Sequence, residues 1–491
     1  MQRFDPLVFL ILLILYQYLI LPNALQDPGI GWHLRIGELT YLSRNIPSID
    51  PFLFAPENSI WIHDQWLGSV ILWLIYDFAG AQFLKFFTCF IILLSFYLHR
   101  PWLSATSGSP ILSSLWIIIA VLVSSPFWSA RPVLFSFLCF SILLFVTRFY
   151  ESRFNSWQLR SSIFFLFALW ASLHGGWTLG LIWFSLFIII KTISGFYKSD
   201  CDSLQSSKWQ IKFGEMILAI NTILIPFAAT LINPYGANLH RSIFQLVSSP
   251  YFMSLNDEWL APTLSLTFLP LFSLLFLFVI FGIYSQKKQQ LHLPFFILSV
   301  IFLALSFKSA RIAPFFALTT LLTGASLLYP ISRLFKILTG TFFSIKNEFA
   351  ILMFAFFFGL YSIQGKESNF EGSRAPQLLV QALKGEGSCK GPILNHPDWG
   401  GDIIYYLWPG IKPYIDDRNQ VSREEKYKKY FEIQNDFQVF NKFVEENKVK
   451  AVLVQDKSIL NQALEEDSSW RLVERQKSLQ YGSISLYCLS Q

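Results

Sequence analysis

Apolar runs bounded by charged or turn residues recur through most of the chain, and they constrain its fold more than any other feature. A transmembrane helix needs roughly 20 predominantly apolar residues. We predict about eleven spans, at positions 7–21, 83–98, 111–125, 133–147, 163–173, 177–191, 213–232, 263–284, 293–305, 312–328 and 349–363. Hydrophobic residues form 53% of the 491 residues and charged residues 14%, whereas soluble domains have roughly 45–50% and 25%. The sequence therefore predicts a polytopic α-helical membrane protein.

The charges of the connecting segments predict how these spans are oriented. Segments rich in Lys and Arg are expected on the cytoplasmic side. Most acids fall in the alternate segments, namely Asp27, Glu38, Asp50, Glu57, Asp64, Asp257 and Glu258. This pattern holds only if the short apolar stretch 67–78, which carries Asp77, is an interfacial helix ended by Gly80. The N-terminus is then cytoplasmic, with a first helix that is retained rather than cleaved, and the C-terminus is extracytoplasmic.

Beyond residue 363 the composition changes to that of a soluble domain. Short strand patterns occur at 391–395, 412–415, 450–455, 470–474 and 483–488, and helical patterns at 400–407 and 422–447. This order predicts a small α/β domain over 364–491, after a transmembrane domain over 1–363. An oxidising compartment would permit a disulfide between Cys389 and Cys488, but the sequence alone cannot place their Cα atoms within bonding distance.

Positions 23–80 form the predicted first outside loop, in which acids, imidazoles and indoles are dense although the flanking sequence is apolar. Asp27 follows the first span directly, and a His-Asp-Gln-Trp sequence begins at His63 just before the predicted interfacial helix. We interpret this loop as a segment that lies against the outer membrane surface and forms the floor of an active site.

The loop pattern resembles the first outside loop of bacterial GT-C-type integral-membrane glycosyltransferases, whose members include protein O-mannosyltransferase and aminoarabinose-transferase relatives. The matching residues are Asp27, Trp32-His33-Leu34, Gly37-Glu38, Ile46-Pro47, Asp50-Pro51, His63-Asp64-Gln65-Trp66-Leu67, Tyr76 and Gly80. Later segments are similar to one branch of this family, among them Ser129-Ala130-Arg131-Pro132, His174-Gly175-Gly176-Trp177, Asp257-Glu258-Trp259, Ser309-Ala310-Arg311 and Tyr414-Ile415-Asp416-Asp417-Arg418. The resemblance implies a polyprenyl-phosphate-linked sugar as donor and an acceptor in the cell envelope.

One feature departs from that family. Its better-known members carry two adjacent acids after the first span, whereas here Asp27 is followed by Pro28. Three readings stay open: Asp50, Asp64 or His33 replaces the second acid, the reaction needs no metal, or transferase activity has been lost. A divalent metal is therefore one option, and no cofactor is firmly predicted.

Asp27 is the candidate catalytic residue, because sugar transfer needs a carboxylate to deprotonate or orient the acceptor. The alternative is an exposed acid at a helix end. His33 and His63 could bind the acceptor or a metal, or could be ordinary hydrogen-bonded imidazoles, since no HxxxH-type pair supports a metal. The Asp416-Asp417-Arg418 sequence could recognise an acceptor, or form a turn satisfied by its own side chains.

Cations at the outside ends of helices run against the local charge bias, and a guanidinium binds phosphate through two parallel hydrogen bonds. Arg131 and Arg311 are therefore the best candidates for a lipid-phosphate clamp, with snorkelling to lipid headgroups as the alternative. The candidate substrate-binding residues are His33, Asp50, His63, Asp64, Arg131, His174, Arg241, Asp257, Glu258, Lys308 and Arg311.

Two functions from different classes stay open. The first is a glycosyltransferase that moves a sugar from a polyprenyl phosphate to a glycan, lipid or protein acceptor on the outer face of the bacterial cytoplasmic membrane. The second is a non-catalytic GT-C-fold protein or a transporter in envelope assembly. A transporter is expected to place ionisable residues at mid-membrane, whereas the predicted spans are nearly free of charge. No nucleic-acid partner is predicted, because the net charge of +6 fits the Lys and Arg of cytoplasmic loops.

Overall fold

The computed structural model describes residues 27–54, 61–151, 156–199, 208–287, 292–339, 377–385, 389–478 and 481–490. The spans predicted at 7–21 and 349–363 lie outside these residues, as does the predicted junction between the two domains.

Helices dominate the described part of the chain. They run over Ile30–Ser43, Trp66–Tyr97, Arg100–Ser107, Pro110–Val123, Val133–Phe149, Trp157–Leu173, Trp177–Ser199, Lys208–Ala229, Ala237–Val247, Pro250–Leu255, Leu269–Lys287, Leu293–Lys308, Ala313–Thr339, Gln377–Gly385, Gly400–Leu407, Asn419–Asn435, Phe437–Asn447 and Ile459–Glu466. Short 3-10 turns occur at Ser125–Phe127, Asp257–Trp259, Leu266–Phe268, Ala310–Ile312 and Pro397–Trp399. The predicted helical character is confirmed.

Several of these helices are strongly apolar. Among the described residues, three helical stretches are long and apolar enough to cross a membrane, namely Trp66–Ser107, Trp177–Ser194 and Leu266–Ser285. Shorter apolar helices are Leu112–Val123, Val133–Phe149, Phe213–Ala229, Leu293–Lys308 and Ala310–Gly324. The predicted membrane character is therefore supported, while the count of eleven spans stays a prediction.

The longest helix is broken where the sequence places a break. Within Trp66–Tyr97, Gly80 has φ 74°, a left-handed conformation in which a residue with a Cβ is strained. The break separates the segment before Gly80, which packs against helix Ile30–Ser43, from the apolar segment that follows it. The break at Gly80 therefore allows the first part of this helix to pack in the first loop and the second part to pack in the helical bundle.

An aromatic cluster holds the helices of the bundle together. Phe140 is fully buried, and its ring centroid lies 6.4 Å from that of Trp170, 6.2 Å from Trp183, 5.7 Å from Phe302 and 5.1 Å from Phe315. These side chains come from five different helices. Since aromatic pairs at such distances add about 0.5–1.5 kcal/mol each to the burial of their area, the cluster fixes the positions from which the outer turns project.

Five short strands near the C-terminus form one mixed sheet. They are β1 (Pro392–Leu394), β2 (Lys412–Pro413), β3 (Ala451–Gln455), β4 (Trp470–Ser478) and β5 (Gly482–Leu489). Their order across the sheet is β2-β1-β3-β5-β4, in which β1 is parallel to β2 and β3, and β5 is antiparallel to β3 and β4. Each predicted strand pattern overlaps one of these strands.

Two details of this region differ from the prediction. The single charged helical region expected before β3 is in fact two helices, Asn419–Asn435 and Phe437–Asn447. Asp436 separates them, and its carboxylate caps the second helix by accepting the N–H of Gln438 at 2.9 Å. The short helix Ile459–Glu466 was not predicted at all, because eight residues carry too little periodic pattern to stand out.

A disulfide joins the start of the sheet region to its last strand. Cys389 and Cys488 are bonded, with their Cα atoms 5.2 Å apart. Because the bond closes a long loop, replacing both cysteines by serine should lower the stability of this region by about 2–4 kcal/mol. Thermal unfolding of the full chain with and without a reductant measures this, and the Cys389→Ser/Cys488→Ser variant should be indifferent to the reductant. Identical melting of the oxidised and reduced wild type would contradict the expectation.

The C-terminal sheet region packs directly on the first loop. Helix Gly400–Leu407 crosses helix Ile30–Ser43 at two glycines, and a Cβ on Gly31 would overlap the carbonyl oxygen of Gly401. Farther along, the hydroxyl of Tyr405 donates to that of Tyr76 at 2.8 Å. This close approach brings the turn after β2, at residues 414–418, to the start of the first loop.

Candidate functional site

Arg131 lies between two carboxylates that come from opposite ends of the chain. Its Nη1 is 3.2 Å from Oδ2 of Asp27, and its Nη2 is 3.7 Å from Oδ2 of Asp417. All three side chains are mostly buried. Gly29 leaves them room, since a Cβ there would be 3.1 Å from Oδ2 of Asp417 and 3.3 Å from Cζ of Arg131. The predicted meeting of Asp27 with a cation therefore occurs at Arg131.

The second oxygen of each carboxylate is held by the first loop. Oδ1 of Asp27 accepts the backbone N–H of Gly29 at 2.9 Å. Oδ1 of Asp417 accepts the indole N–H of Trp32 at 2.8 Å. With these bonds made, the remaining Oδ2 atoms both face the guanidinium of Arg131.

Arg131 shares an open cavity with Arg311. The cavity is shallow and holds about 310 Å³ when the open solvent at its mouth is counted. It is lined by Phe127, Ser129, Arg131, Val133, Phe137, Glu258 and Arg311. Nη1 of Arg311 is 3.9 Å from Oε2 of Glu258, and its guanidinium lies 5.5 Å from the ring centroid of Trp259. Two cations and an acid thus face apolar walls, an arrangement that suits a ligand with an anionic head and an apolar tail.

Backbone contacts position the turn that carries Glu258. The N–H of Ala310 donates to the carbonyl of Leu260 at 2.8 Å, and the hydroxyl of Ser309 donates to the carbonyl of Glu258 at 3.4 Å. The turns Asp257–Trp259 and Ala310–Ile312 are therefore fastened to each other. This is why Arg311 and Glu258 face one another although they are far apart in sequence.

Asp64 and His174 lie beside this cavity. A Cβ on Gly175 would be 3.2 Å from Oδ2 of Asp64, so the acid lies against the turn after His174. Burial raises the pKa of Asp64 to about 6, against the opposing charge of Arg311. Nδ1 of His174 accepts the N–H of Gly176 at 3.0 Å, which makes Nε2 the protonated nitrogen of the neutral ring. Both side chains are buried, and neither is among the residues that line the cavity.

His33 and His63 are buried among aromatic side chains rather than open to a ligand. Nδ1 of His33 is 2.7 Å from the hydroxyl of Ser69, and the ring centroid of His63 is 4.8 Å from that of Trp61. Burial lowers the pKa of His63 to about 3, so its ring is neutral at physiological pH. Within the described part of the chain, neither Nε2 atom has a hydrogen-bond partner.

The described residues do not form a metal site. They contain no group of three or more His, Cys, Asp or Glu side chains placed to hold an ion. Between Asp27 and Asp417, where a divalent ion would be expected, the guanidinium of Arg131 already pairs with both acids. We therefore derive no step through a metal.

Comparison with protein-family models and with curated proteins finds no match. Comparison with solved structures finds several matches. Archaeal oligosaccharyltransferase AglB from Archaeoglobus fulgidus, in complex with an inhibitory peptide and a dolichol-phosphate, aligns with a TM-score of 0.54 and 11% identity over 98% of this chain and 74% of that chain. The Archaeoglobus fulgidus oligosaccharyltransferase tethered to an acceptor peptide gives 0.54 and 12% over the same shares. The chain shares the fold of these archaeal oligosaccharyltransferases.

AglB is a GT-C-type glycosyltransferase, so the likeness supports the GT-C fold that the sequence predicts. The apo form of the same enzyme also aligns, with a TM-score of 0.54 and 11% identity over 92% of this chain and 70% of that chain. At this identity the likeness to AglB concerns the fold alone. It does not extend to a bacterial branch or to the mannosyltransferase and aminoarabinose-transferase relatives.

In this oligosaccharyltransferase-like fold, Asp50 does not line the cavity and instead forms a buried ion pair with Arg418. Its Oδ1 accepts Nη1 of Arg418 at 2.7 Å, and both side chains are almost fully buried. Nε of Arg418 also donates to Oδ2 of Asp416 at 2.8 Å. Two of the three residues in the Asp416-Asp417-Arg418 sequence thus form the self-satisfied turn that was one of the two predictions, extended by Asp50.

Three other candidates lie outside the cavity. Arg241, Asp257 and Lys308 are exposed, none of them lines it, and none forms an ion pair with another described residue. In contrast, the structure singles out Asp417: the sequence offered the Asp416-Asp417-Arg418 segment as a possible acceptor site, but did not name Asp417 among the individual substrate-binding candidates. In a turn of three charged residues, the local sequence does not indicate which side chain faces another part of the chain. The role of Asp417 becomes visible only from its contacts with Trp32 and Arg131.

Proposed function

We propose that this chain is a membrane glycosyltransferase that moves a sugar from a polyprenyl-phosphate donor to an acceptor of the bacterial cell envelope, on the outer face of the cytoplasmic membrane. The observation that carries the proposal is the shared cavity, which Arg131, Arg311 and Glu258 line together. Arg311 lies beside Glu258, and Arg131 lies beside the carboxylates of Asp27 and Asp417. The likeness in fold to AglB, which was solved with a dolichol-phosphate, supports the class of donor.

The proposed reaction is a single displacement with inversion. The acceptor attacks the anomeric carbon of the sugar while the bond to the lipid phosphate breaks. Arg131 and Arg311 stabilise the departing phosphate, because guanidinium groups aimed at developing negative charge lower the barrier. The rim of the cavity carries three acids, Asp27, Asp417 and Glu258, beside Arg131 and Arg311. One of these rim carboxylates takes the acceptor's proton, and Asp27 is the candidate that follows from the sequence. The apolar side chains of Phe127 and Phe137 offer a wall for the lipid chain next to the phosphate.

The topology belongs to the same proposal. We infer that the N-terminus is cytoplasmic and that residues 364–491 face the outside, after about eleven spans in residues 1–363. The bonded pair Cys389 and Cys488 supports this orientation, because disulfides persist in oxidising compartments and are rare in the cytosol.

The second candidate function is a non-catalytic protein of the same fold that acts in envelope assembly. It is favoured by one observation: each acid beside the cavity already lies next to a cation, Asp27 and Asp417 next to Arg131 and Glu258 next to Arg311. Such a rim could stabilise the fold without binding a substrate.

Substitution of the rim separates these two functions. In membranes that contain the full chain, Asp27→Asn and Arg311→Ala should each lower the transfer of labelled sugar from polyprenyl phosphate to the envelope fraction by roughly 10²-fold, the loss expected when one charge-stabilising group is removed. The matched controls are the exposed residues Asp257→Asn and Arg241→Ala, which should transfer at the wild-type rate. Unchanged transfer in both rim variants, with protein levels maintained, would reject the enzymatic roles and favour the scaffold.

A further inference from the structure

The turn after β2 contributes a functional group that the first loop alone does not supply. We propose that Asp417 accepts the proton of the acceptor, while Asp27 holds Arg131 in place. This assignment rests on the proposed function and deepens it, because it names which of the two rim carboxylates is the base and makes the C-terminal region part of the active site.

The backbone around Asp417 is fixed on both sides. The N–H of Arg418 donates to Oδ1 of Asp416 at 3.0 Å, and the hydroxyl of Tyr427 donates to the carbonyl of Asp416 at 3.0 Å. Arg418 is itself bonded to Asp50 of the first loop. Asp417 is therefore the one acid of this turn that projects toward Arg131, and it is held there by a rigid support.

The two carboxylates make unequal contacts with Arg131. Asp27 lies within hydrogen-bond distance of Nη1, at 3.2 Å. Oδ2 of Asp417 lies 3.7 Å from Nη2, which is beyond a hydrogen bond. Asp27 therefore bonds the guanidinium directly, whereas none of the described residues donates a hydrogen bond to Oδ2 of Asp417, and this oxygen can take a proton.

The charges around Asp417 suit a proton acceptor. Four titratable groups face it: Arg131, Asp416, Asp27 and Tyr427. Burial raises the pKa of Asp417 to about 7, with Asp416 and Asp27 adding to the rise and Arg131 and the Trp32 hydrogen bond opposing it. A general base works best when its pKa lies near the working pH, and pairs of acids with differing environments are the usual means of dividing such roles.

The transfer forms one bond at the anomeric carbon and breaks another. The oxygen or nitrogen of the acceptor forms a bond to the anomeric carbon, and the bond from that carbon to the phosphate oxygen breaks. The electron pair of the broken bond goes to the phosphate, which leaves as polyprenyl phosphate between Arg131 and Arg311. The acceptor's proton goes to Oδ2 of Asp417 and is later released to water.

Carbodiimide labelling of the purified full chain tests the charge state without any substrate. Dicyclohexylcarbodiimide reacts with protonated carboxyls, so labelling of Asp417, read by mass spectrometry, should fall as the pH rises through about 7. Trp32→Phe removes a hydrogen bond that favours the carboxylate, so the fall should move to higher pH. Asp27→Asn removes a neighbouring negative charge, so the fall should move to lower pH. Absent or reversed shifts in these two variants would contradict the charge environment on which the assignment rests, and the transfer assays then test the chemical role.

Transfer assays with polyprenyl-phosphate mannose and polyprenyl-phosphate aminoarabinose, offered separately, test the chemical role. Asp417→Asn keeps an oxygen for the Trp32 bond but should lower transfer by about 10²-fold and remove its rise with pH near neutrality. The exposed Glu446→Gln should change neither. Wild-type transfer by Asp417→Asn, or labelling of Asp417 that is independent of pH, would overturn the assignment while the proposed function stands. A wild type that transfers neither sugar to an envelope acceptor would instead count against the proposed function, and the assignment would fall with it.

Discussion

An Arg418→Met variant should lose about 3–5 kcal/mol of stability, the cost expected when one partner of a buried ion pair is removed. The Arg418 side chain is 3% exposed and pairs with the buried carboxylates of Asp50 and Asp416. Its guanidinium also lies 4.8 Å from the ring centroid of Trp61 and 5.4 Å from that of Trp32. Methionine fills similar space but leaves two buried acids without a cation. Thermal unfolding of the detergent-solubilised full chain measures the loss.

The pH dependence of this variant has a definite sign. In the wild type, burial raises the pKa of Asp416, and the positive charge of Arg418 partly opposes this rise. Without Arg418 the pKa should climb further above its unfolded value, so the folded state prefers the protonated acid. The deficit relative to the wild type should therefore be smallest at acid pH and grow as the pH rises.

A matched control removes a cation that is not buried. Lys442→Met breaks the exposed ion pair with Glu446, in which the lysine side chain is 77% exposed, and it should leave the melting temperature unchanged. Adding Asp50→Asn and Asp416→Asn to Arg418→Met should recover stability, because the uncompensated charges are then gone. An Arg418→Met protein as stable as Lys442→Met at neutral pH would show that the ion pairs of Arg418 with Asp50 and Asp416 do not stabilise the contact between the first loop and the C-terminal region.

Local sequence patterns were sufficient where structure depends on near neighbours. The strand patterns of the C-terminal region were found because short runs of β-branched and apolar residues sit between turn residues. The helix break at Gly80 was found because glycine tolerates positive φ. Arg131 was a candidate because cations at the outer ends of apolar segments run against the local charge bias. Asp27 was a candidate because it follows the first span directly and sugar transfer needs a carboxylate. Their contact was expected, although its geometry was not.

The rest of the site depends on contacts between distant parts of the chain. Trp32 and Asp417 are 385 positions apart, and Asp50 and Arg418 are 368 apart. No periodicity connects such pairs, and a single sequence contains no co-variation between them. The second acid missing after Asp27 was therefore sought in Asp50, Asp64 or His33, whereas the carboxylate that pairs with Arg131 belongs to Asp417 in the turn after β2.

Gly401→Ala should abolish transfer, because it prevents the C-terminal region from reaching the first loop. A Cβ on Gly401 would overlap the carbonyl oxygen of Pro28, so either helix Gly400–Leu407 or the turn that precedes helix Ile30–Ser43 would have to move. Pro28 directly follows Asp27, so the displacement would separate Asp27 and Arg131 from Asp417. A misplacement of about 1 Å can cost 10²-fold in rate, and an overlap of two backbones demands more than that. Transfer assays in membranes should find activity below detection.

The control for this variant is a glycine from the same region that has space. At Gly410 a Cβ would meet only the carbonyl of Leu407, at an ordinary contact distance of 3.6 Å, so Gly410→Ala should transfer like the wild type. Limited proteolysis separates loss of docking from unfolding: in Gly401→Ala the chain should become cleavable near residues 51–54, which bond to the C-terminal region in the wild type, while the disulfide-bonded sheet stays resistant. If Gly401→Ala transferred sugar at the wild-type rate, the C-terminal region would not be part of the active site, and the role of Asp417 would have to be given up together with it.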